Sequence, residues 1–322
     1  MTRALVIGAG GLLGGSISDA LNRLSTVEVL LQPNLEWSHP ESLRTSLRKS
    51  LSDLLCGPPS EELHIYWCAG RGTPRSPENL IRDEEKFLHV CTKELTEQIR
   101  VHGSRQLTMF FASSAGGVYG DTQDSVATEI SMTNPTELYG RTKLSLEAHL
   151  LTWAQLTGVQ VLIGRISSLY GPRQNLNKRQ GFLSQLALTV VLGSTLEVFT
   201  SLQTTRNYIS ADSAAQLITH YMTSNSAEPY RVRNICSPNN VSVAELLQIA
   251  TRLNHRPIPT TYSGDGSPSH LRVSSQHLDE LHRQVRQVIH EGFAQLVSDI
   301  RMRFATSGAQ LDPSLSPEPR KY

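Results

Sequence analysis

The sequence predicts an α/β fold, a doubly wound parallel sheet followed by a smaller C-terminal α/β domain. Three observations carry this prediction. Short, continuous Val/Ile/Leu-rich runs alternate with helix-period segments through the first two-thirds of the chain. A glycine-rich turn stands between the first apolar run and the first helical stretch. After Gly171 the texture changes, with Arg173, Lys178 and Arg179 in a polar, basic stretch.

The elements follow in order. Ala4–Ile7 reads as the first strand, because a run without polar alternation suits a strand buried on both faces. Leu12–Leu24 has helical period, and Glu28–Leu31, His64–Cys68, Thr108–Ala112 and Gln160–Ile163 are further strands. Asn79–Val101 and Tyr139–Leu156 are helical stretches between them. Gly171–Gly181 reads as a loop, Phe182–Leu192 as a helix, Leu196–Phe199 as a strand and Ala211–Met222 as a helix. Ser242-Val-Ala-Glu245 is a capping box opening another helix, since each end can satisfy an orphan N–H of the other. Arg256–His270 holds Pro257, Pro259, Gly264, Gly266 and Pro268 and reads as a loop. Gln284–Phe304 is a last helix, and 305–322 a flexible tail. The change of texture after Gly171 divides the chain into a first domain over 1–170 and a smaller second domain over 171–304.

Composition narrows the partners. With 30 basic and 29 acidic side chains in 322 residues, the chain lacks the electropositive surface that nucleic-acid binding needs. The longest apolar run, Leu186–Leu192, falls far short of the ~20 residues of a membrane span. Gly8, Gly10, Gly11, Gly14 and Gly15 interrupt the N-terminal apolar stretch, so it does not read as a signal peptide. Four scattered cysteines form no Cys-x-x-Cys pair and fit a reducing cytoplasm. Histidines show no His-Glu-x-x-His spacing, so no metal is expected, and Gly-x-Ser-x-Gly is missing, which disfavours a serine hydrolase.

Gly8-x-x-Gly11-x-x-Gly14 has the spacing of a phosphate-cradling turn. Glycines there let backbone approach a pyrophosphate, and the helix N-terminus that follows offers unpaired N–H groups to it. The acid expected about 20 residues on, at the end of the second strand, is Gln32 instead. Glutamine can bond a ribose hydroxyl without repelling a 2′-phosphate, which leaves NAD and NADP both open.

Tyr139-Gly-Arg-Thr-Lys143 puts a phenol and an ammonium on one helix face. A free tyrosine titrates near ~10, and a nearby cation favours its phenolate, so Tyr139 can carry a hydroxyl proton. Upstream, Ser113 and Ser114 end an apolar strand before the glycine turn Gly116-Gly117, at the sheet edge where α/β proteins bind ligands.

With these residues in view, the chain resembles the extended short-chain dehydrogenase/reductases, in their nucleotide-sugar epimerase/dehydratase branch. The glycine turn, Cys68-Ala69-Gly70, Ser113-Ser114…Val118-Tyr-Gly120 and Tyr139-x-x-x-Lys143 carry the resemblance. Arg165…Tyr170-Gly-Pro172 and Arg206-Asn-Tyr-Ile209 with Asp212 extend it. The resemblance implies a Rossmann-type cofactor domain over 1–170, with Tyr139, Lys143 and Ser114 as the catalytic set, and a mainly substrate-binding domain over 171–304, of which a segment of about 196–222 returns to the first. It implies a cofactor, NAD or possible NADP, held by Gly8, Gly11, Leu12, Leu13, Gly14, Gln32, Ala69, Gly70, Ser113, Tyr139 and Lys143. It implies a nucleotide-diphosphate sugar bound by Ser114, Ser168, Gly181, Phe182, Arg206 and Arg272, and a homodimer.

Four departures stand out. Counting back from Tyr139 selects Ser114 as the catalytic serine, whereas aligning on Val118-Tyr-Gly120 selects Ala115. The helix before the serine strand has no asparagine after Asn79, so the family's lysine-propping amide has no counterpart. Ser168 stands where many relatives have asparagine, and Gln32 replaces the usual acid. Ala115 and Gly116 stand where dehydrating relatives place acids, which disfavours elimination and leaves hydride transfer at one carbon. A 4-epimerase is the leading expectation. An NADPH-dependent reductase of a 4-keto-sugar nucleotide and a non-catalytic NAD(P)-binding regulator are the alternatives.

Overall fold

The computed structural model describes residues 1–30, 35–37, 39–58, 60–70, 72–103, 106–123, 125–176, 181–224, 228–263, 268–277 and 289–306. The expected roles of Gln32, Lys178 and Arg179, the start of the last predicted helix and nearly all of the predicted tail lie outside these residues. The first half runs β1 (Thr2–Ile7), α1 (Leu12–Asn22), β2 (Val27–Val29), α2 (Pro40–Leu55), β3 (Glu62–Trp67) and α3 (Glu78–His102). It continues through β4 (Leu107–Ser114), α4 (Ala115–Tyr119), α5 (Leu138–Thr157) and β5 (Gln160–Ile166). The remainder is β6 (Ser168–Tyr170), α6 (Phe182–Leu192), β7 (Leu196–Val198), β8 (Thr205–Ser210) and α7 (Ala211–Thr223). It ends with β9 (Tyr230–Ile235), β10 (Asn240–Ser242), α8 (Val243–Asn254), β11 (Thr260–Tyr262) and α9 (Ile289–Thr306).

Six strands form one parallel sheet in the order β2-β1-β3-β4-β5-β9. Alternate residues of each strand feed opposite cores, which is why the runs are apolar throughout. Leu5, Ile7, Ile65, Trp67, Met109 and Phe111 face α2, α3 and α5. Ala4, Val6, Tyr66, Phe110 and Leu162 face α1 and α7. The chain leaves β1 toward β2, then crosses back to β3 on the other side. That reversal opens a crevice between the C-terminal ends of β1 and β3, the topological switch point where such sheets bind ligands.

The second lobe has its own core of Leu183, Leu186, Leu196, Val198, Leu246, Phe293 and Leu296, from α6, β7, α8 and α9. The capping box is realised: Ser242 accepts from Glu245 N at 3.2 Å, and Glu245 accepts from Ser242 N at 2.7 Å. The proline-rich stretch after α8 contains the short strand β11, paired in parallel with β7. Both β9 and α7 belong to the main sheet and its cover, while β7 packs in the second core.

One buried side chain sets an acid limit. His64 in β3 is 3% exposed. Burial, reinforced by the Arg231 guanidinium, pushes its pKa down to about 4. An unfolded histidine titrates near ~6.5, so between about pH 6.5 and 4 the unfolded state takes up the proton first. The contribution is present above that window and lost as pH falls through it, about 3 kcal/mol in all. Denaturant midpoints measured against pH should fall across this range and lose much of the slope in His64→Gln.

Candidate active site

The glycine turn is built by close approach. Gly8 has a φ of +92°, and a Cβ there would lie 2.6 Å from the Ala69 nitrogen. A Cβ on Gly14 would lie 2.3 Å from the Gly8 carbonyl oxygen, so α1 can start against the turn only with glycine at 14. Gly11 N donates to Gly8 O at 2.9 Å, and Leu12 and Leu13 begin α1 behind it. Ile7 and Trp67 are register partners, which places Gly8 beside Cys68-Ala69-Gly70.

A cavity of about 450 Å³ opens there, lined by Gly8, Gly11, Ala69, Gly70, Glu84 and three aromatic rings, Trp37, Trp67 and Phe87. Trp67 Nε1 is buried with no hydrogen-bond partner among the described residues. Glycine backbone at a helix N-terminus, flat apolar walls and an unused donor fit a dinucleotide: anionic diphosphate, aromatic base and acceptor-rich rim. The residues present therefore suit the expected cofactor.

Beside the cavity lie the residues of the Ser/Tyr/Lys set. Ser114 ends β4 and caps α4, accepting from Gly117 N at 3.1 Å. The Tyr139 ring packs on the same short helix, with a Cβ on Gly117 reaching to 3.0 Å of Tyr139 Cε1. A Cβ on Gly140 would collide with the Gly117 carbonyl, so the Tyr139-Gly140 pair brings α5 onto α4. Of the two serine-slot candidates, Ala115 is fully buried and Ser114 partly exposed. Ser113 points the other way: its hydroxyl is buried and donates to Glu147 Oε1 at 2.5 Å, leaving its backbone for any cofactor contact.

Lys143 is 5% exposed. Its ammonium donates to Glu84 on α3 and to Ala112 O at 3.0 Å, and lies 5.6 Å from the Tyr139 ring centroid. Burial opposes the charge, but Glu84 outweighs it and holds the pKa above the ordinary lysine value. Glu84 therefore occupies the lysine's side of α3, the helix that lacks the family's propping asparagine. Sequence reasoning missed it, because nothing marks the middle of Asp83-Glu84-Glu85 as facing a lysine 59 residues away.

Glu147, one turn after Lys143, accepts from Arg165 Nη2 at 2.7 Å. Arg165 also donates to the Tyr119 hydroxyl at 3.1 Å, which in turn donates to Asn234 Oδ1 at 2.9 Å. This buried network ties β4, α4, α5, β5 and β9 together beneath the Tyr139 site.

The other expected substrate residues are spread over β6, β8, the start of α6 and the segment around Leu271, which packs against α4. Arg206 on β8 donates to the Ser269 carbonyl, and its Nη2 to Ser269 Oγ at 3.3 Å. Burial lowers its pKa against the pull of Tyr208 and Asp121. Arg206 bridges Leu271, so Arg272 follows directly, and the Arg272 backbone N–H donates to Thr122 Oγ1 at 2.9 Å. Ser168 pairs with Tyr208 between β6 and β8. Gly181 has a φ of +80° and starts α6, whose first residue, Phe182, packs on the second core.

A dinucleotide crevice at a switch point with a Tyr/Lys helix beside it is the framework of the extended short-chain dehydrogenase/reductases. Within that class the chain belongs to the NAD dependent epimerase/dehydratase family, whose model matches residues 4–236. A UDP-glucose 4-epimerase of Corynebacterium glutamicum is 26% identical over 224 residues, 64% of this chain and 67% of that protein. A dTDP-4-dehydro-6-deoxyglucose reductase of Escherichia coli is 27% identical over 240 residues, 71% of each chain. The solved UDP-glucose 4-epimerase of Thermotoga maritima superposes with a TM-score of 0.77 at 18% identity, covering 94% of this chain and 100% of its own, a likeness of fold. Relatives named as epimerases, dehydratases and reductases make this a family of enzymes.

Proposed function

We propose that the protein is a nucleotide-sugar 4-epimerase in which Tyr139 carries the proton. The observation that carries this is that the Tyr139 ring, from α5, packs on the short helix α4 that Ser114 caps, and that the first turn of α4, Ala115-Gly116-Gly117, holds no acid. NAD, when bound, supplies a reversible hydride acceptor. Tyr139 takes the proton from the sugar's 4-hydroxyl as that carbon is oxidised, and Ser114 orients the same oxygen. The ketone then turns within the site, and Tyr139 returns the proton when the opposite face is reduced. Atoms and electrons balance over the cycle, so no net redox change occurs. Arg206 and Arg272 are assigned to the substrate diphosphate, a task suited to the guanidinium fork. Ser168, Gly181 and Phe182 would frame the nucleotide. Pairing of two copies through α3 and α5 belongs to this reading, since Leu146 and Leu150 are spent on the core while Leu151 is 37% exposed.

The test is proton NMR of purified protein supplied with UDP-glucose or UDP-galactose, with dTDP-hexoses as a second panel. Interconversion of C4 epimers without net change in nicotinamide absorbance is expected. If no C4 epimer forms from any of these sugars, the epimerase reading fails. The similarity to a keto-sugar reductase favours one second reading. Stoichiometric consumption of NADPH with a 4-keto-sugar nucleotide would select it.

A further inference from the structure

Trp67 ends β3, belongs to the core under α2 and α3 and is 1% exposed, yet its Nε1–H bonds to nothing among the described residues. A buried indole normally finds an acceptor, as Trp153 does by donating to Thr96 Oγ1 at 2.9 Å. The carboxylates that share the cavity with Trp67 are engaged elsewhere: Glu84 accepts from Lys143, and Asp83 from Lys86 at 3.1 Å. A buried donor left unmet costs the fold stability, so a ligand that supplies the acceptor gains what the free protein forgoes.

The layout of the cavity selects the part of the cofactor concerned. Gly8 and Gly11, at the start of α1, suit the diphosphate. Tyr139 and Ser114 do not line this cavity, so the reacting end of the cofactor lies beyond it and the adenosine end within it. The walls around Trp67 are Trp37, Leu80 and Phe87, apolar surfaces that suit a flat base rather than a ribose. Trp37 lies in the link between β2, the edge strand of the sheet on this side, and α2. It stands edge-on to Trp67 and to Phe87, with ring centroids 6.1 Å and 5.5 Å away. It is half-buried where Trp67 is fully buried, so it is the wall that can yield to an incoming base.

We infer that Trp67 is a base-recognition residue: once Trp37 turns aside, the Trp67 Nε1–H donates to a ring nitrogen of the cofactor's adenine. This rests on the cofactor assignment and not on the proposed reaction. Adenine carries acceptor nitrogens at N1, N3 and N7 on a flat ring, which is the chemistry that an indole donor between apolar walls accepts. The indole then serves binding at the expense of the free protein.

The experiment measures binding by calorimetry, with full-length protein and with Trp67→3-benzothienylalanine, a near-isostere in which sulfur replaces the N–H. The variant should bind NAD and AMP about tenfold more weakly than the parent, because the base is left with an unmet buried acceptor, and should bind NMN equally well. Its urea midpoint should not fall, whereas loss of a donor that served the fold would lower it. Among 1-deaza-, 3-deaza- and 7-deaza-AMP, one should bind the parent about tenfold more weakly than AMP, and the variant should no longer make that distinction. Equal affinity of parent and variant for AMP, or a deaza effect that persists undiminished in the variant, overturns the inference. The deaza series on the parent alone serves if the variant does not fold: three analogues that all bind as tightly as AMP overturn it. A parent that binds neither NAD nor AMP overturns the cofactor assignment together with the inference. Binding needs no sugar, so the result is independent of whether the protein epimerises one.

Discussion

Tyr139→Phe is expected to lower the rate of sugar interconversion by about 10²–10⁴-fold, the usual worth of a positioned acid/base. The variant should fold normally. Among the described residues the Tyr139 hydroxyl has no hydrogen-bond partner, and its ring still packs on Gly117 without the oxygen. Nucleotide binding should also persist, because the glycine turn and the aromatic walls of the cavity are untouched. Rates with UDP-glucose, set beside binding of NAD followed by tryptophan fluorescence, separate the two effects. A variant that binds NAD and retains most of its rate contradicts the proton-carrier role.

Removing one partner of the Glu147–Arg165 pair should be the most destabilising single change beneath the site. Both side chains are buried, at 4% and 8% exposure, and Glu147 also accepts from Ser113. Burial works against the charge on Arg165, and Glu147 more than restores it, holding the guanidinium above its ordinary pKa. Glu147→Gln leaves an unpaired buried cation, and Arg165→Met an unpaired buried carboxylate. Each should cost about 3–5 kcal/mol. The double variant should cost less than the sum of the two, because no charge is then stranded. Urea denaturation of the four proteins provides the cycle. Single-variant losses below about 1 kcal/mol would show that the pair is dispensable to the fold.

The sheet was legible because its strands are buried on both faces and therefore read as unbroken apolar runs, from Ala4–Ile7 to Gln160–Ile163. The Tyr139/Lys143 spacing and the Ser242–Glu245 capping box were legible because both depend on one helical turn. Strand β9 was not, since Arg231 and Arg233 break its apolar pattern, and only pairing with β5 makes it the sixth strand. Helix α2 carries Ser, Thr, Arg and Lys around a leucine stripe (Leu43, Leu47, Leu51, Leu54), and that stripe was not recognised from sequence. Glu84 and Glu147 escaped notice for a different reason. Their partners are brought to them by the packing of α3 on α5 and of α5 on β5, contacts that no local spacing encodes. The direction of Ser113 was open for the same reason, and Glu147 decides it.

Reversible hydride transfer at one sugar carbon, with Tyr139 moving the proton, is open to test with UDP-glucose deuterated at C4 and converted in ordinary water. The UDP-galactose formed should retain the deuterium at C4, because the same hydride leaves and returns. Loss of that deuterium to solvent, or conversion without oxidation at C4, would contradict it.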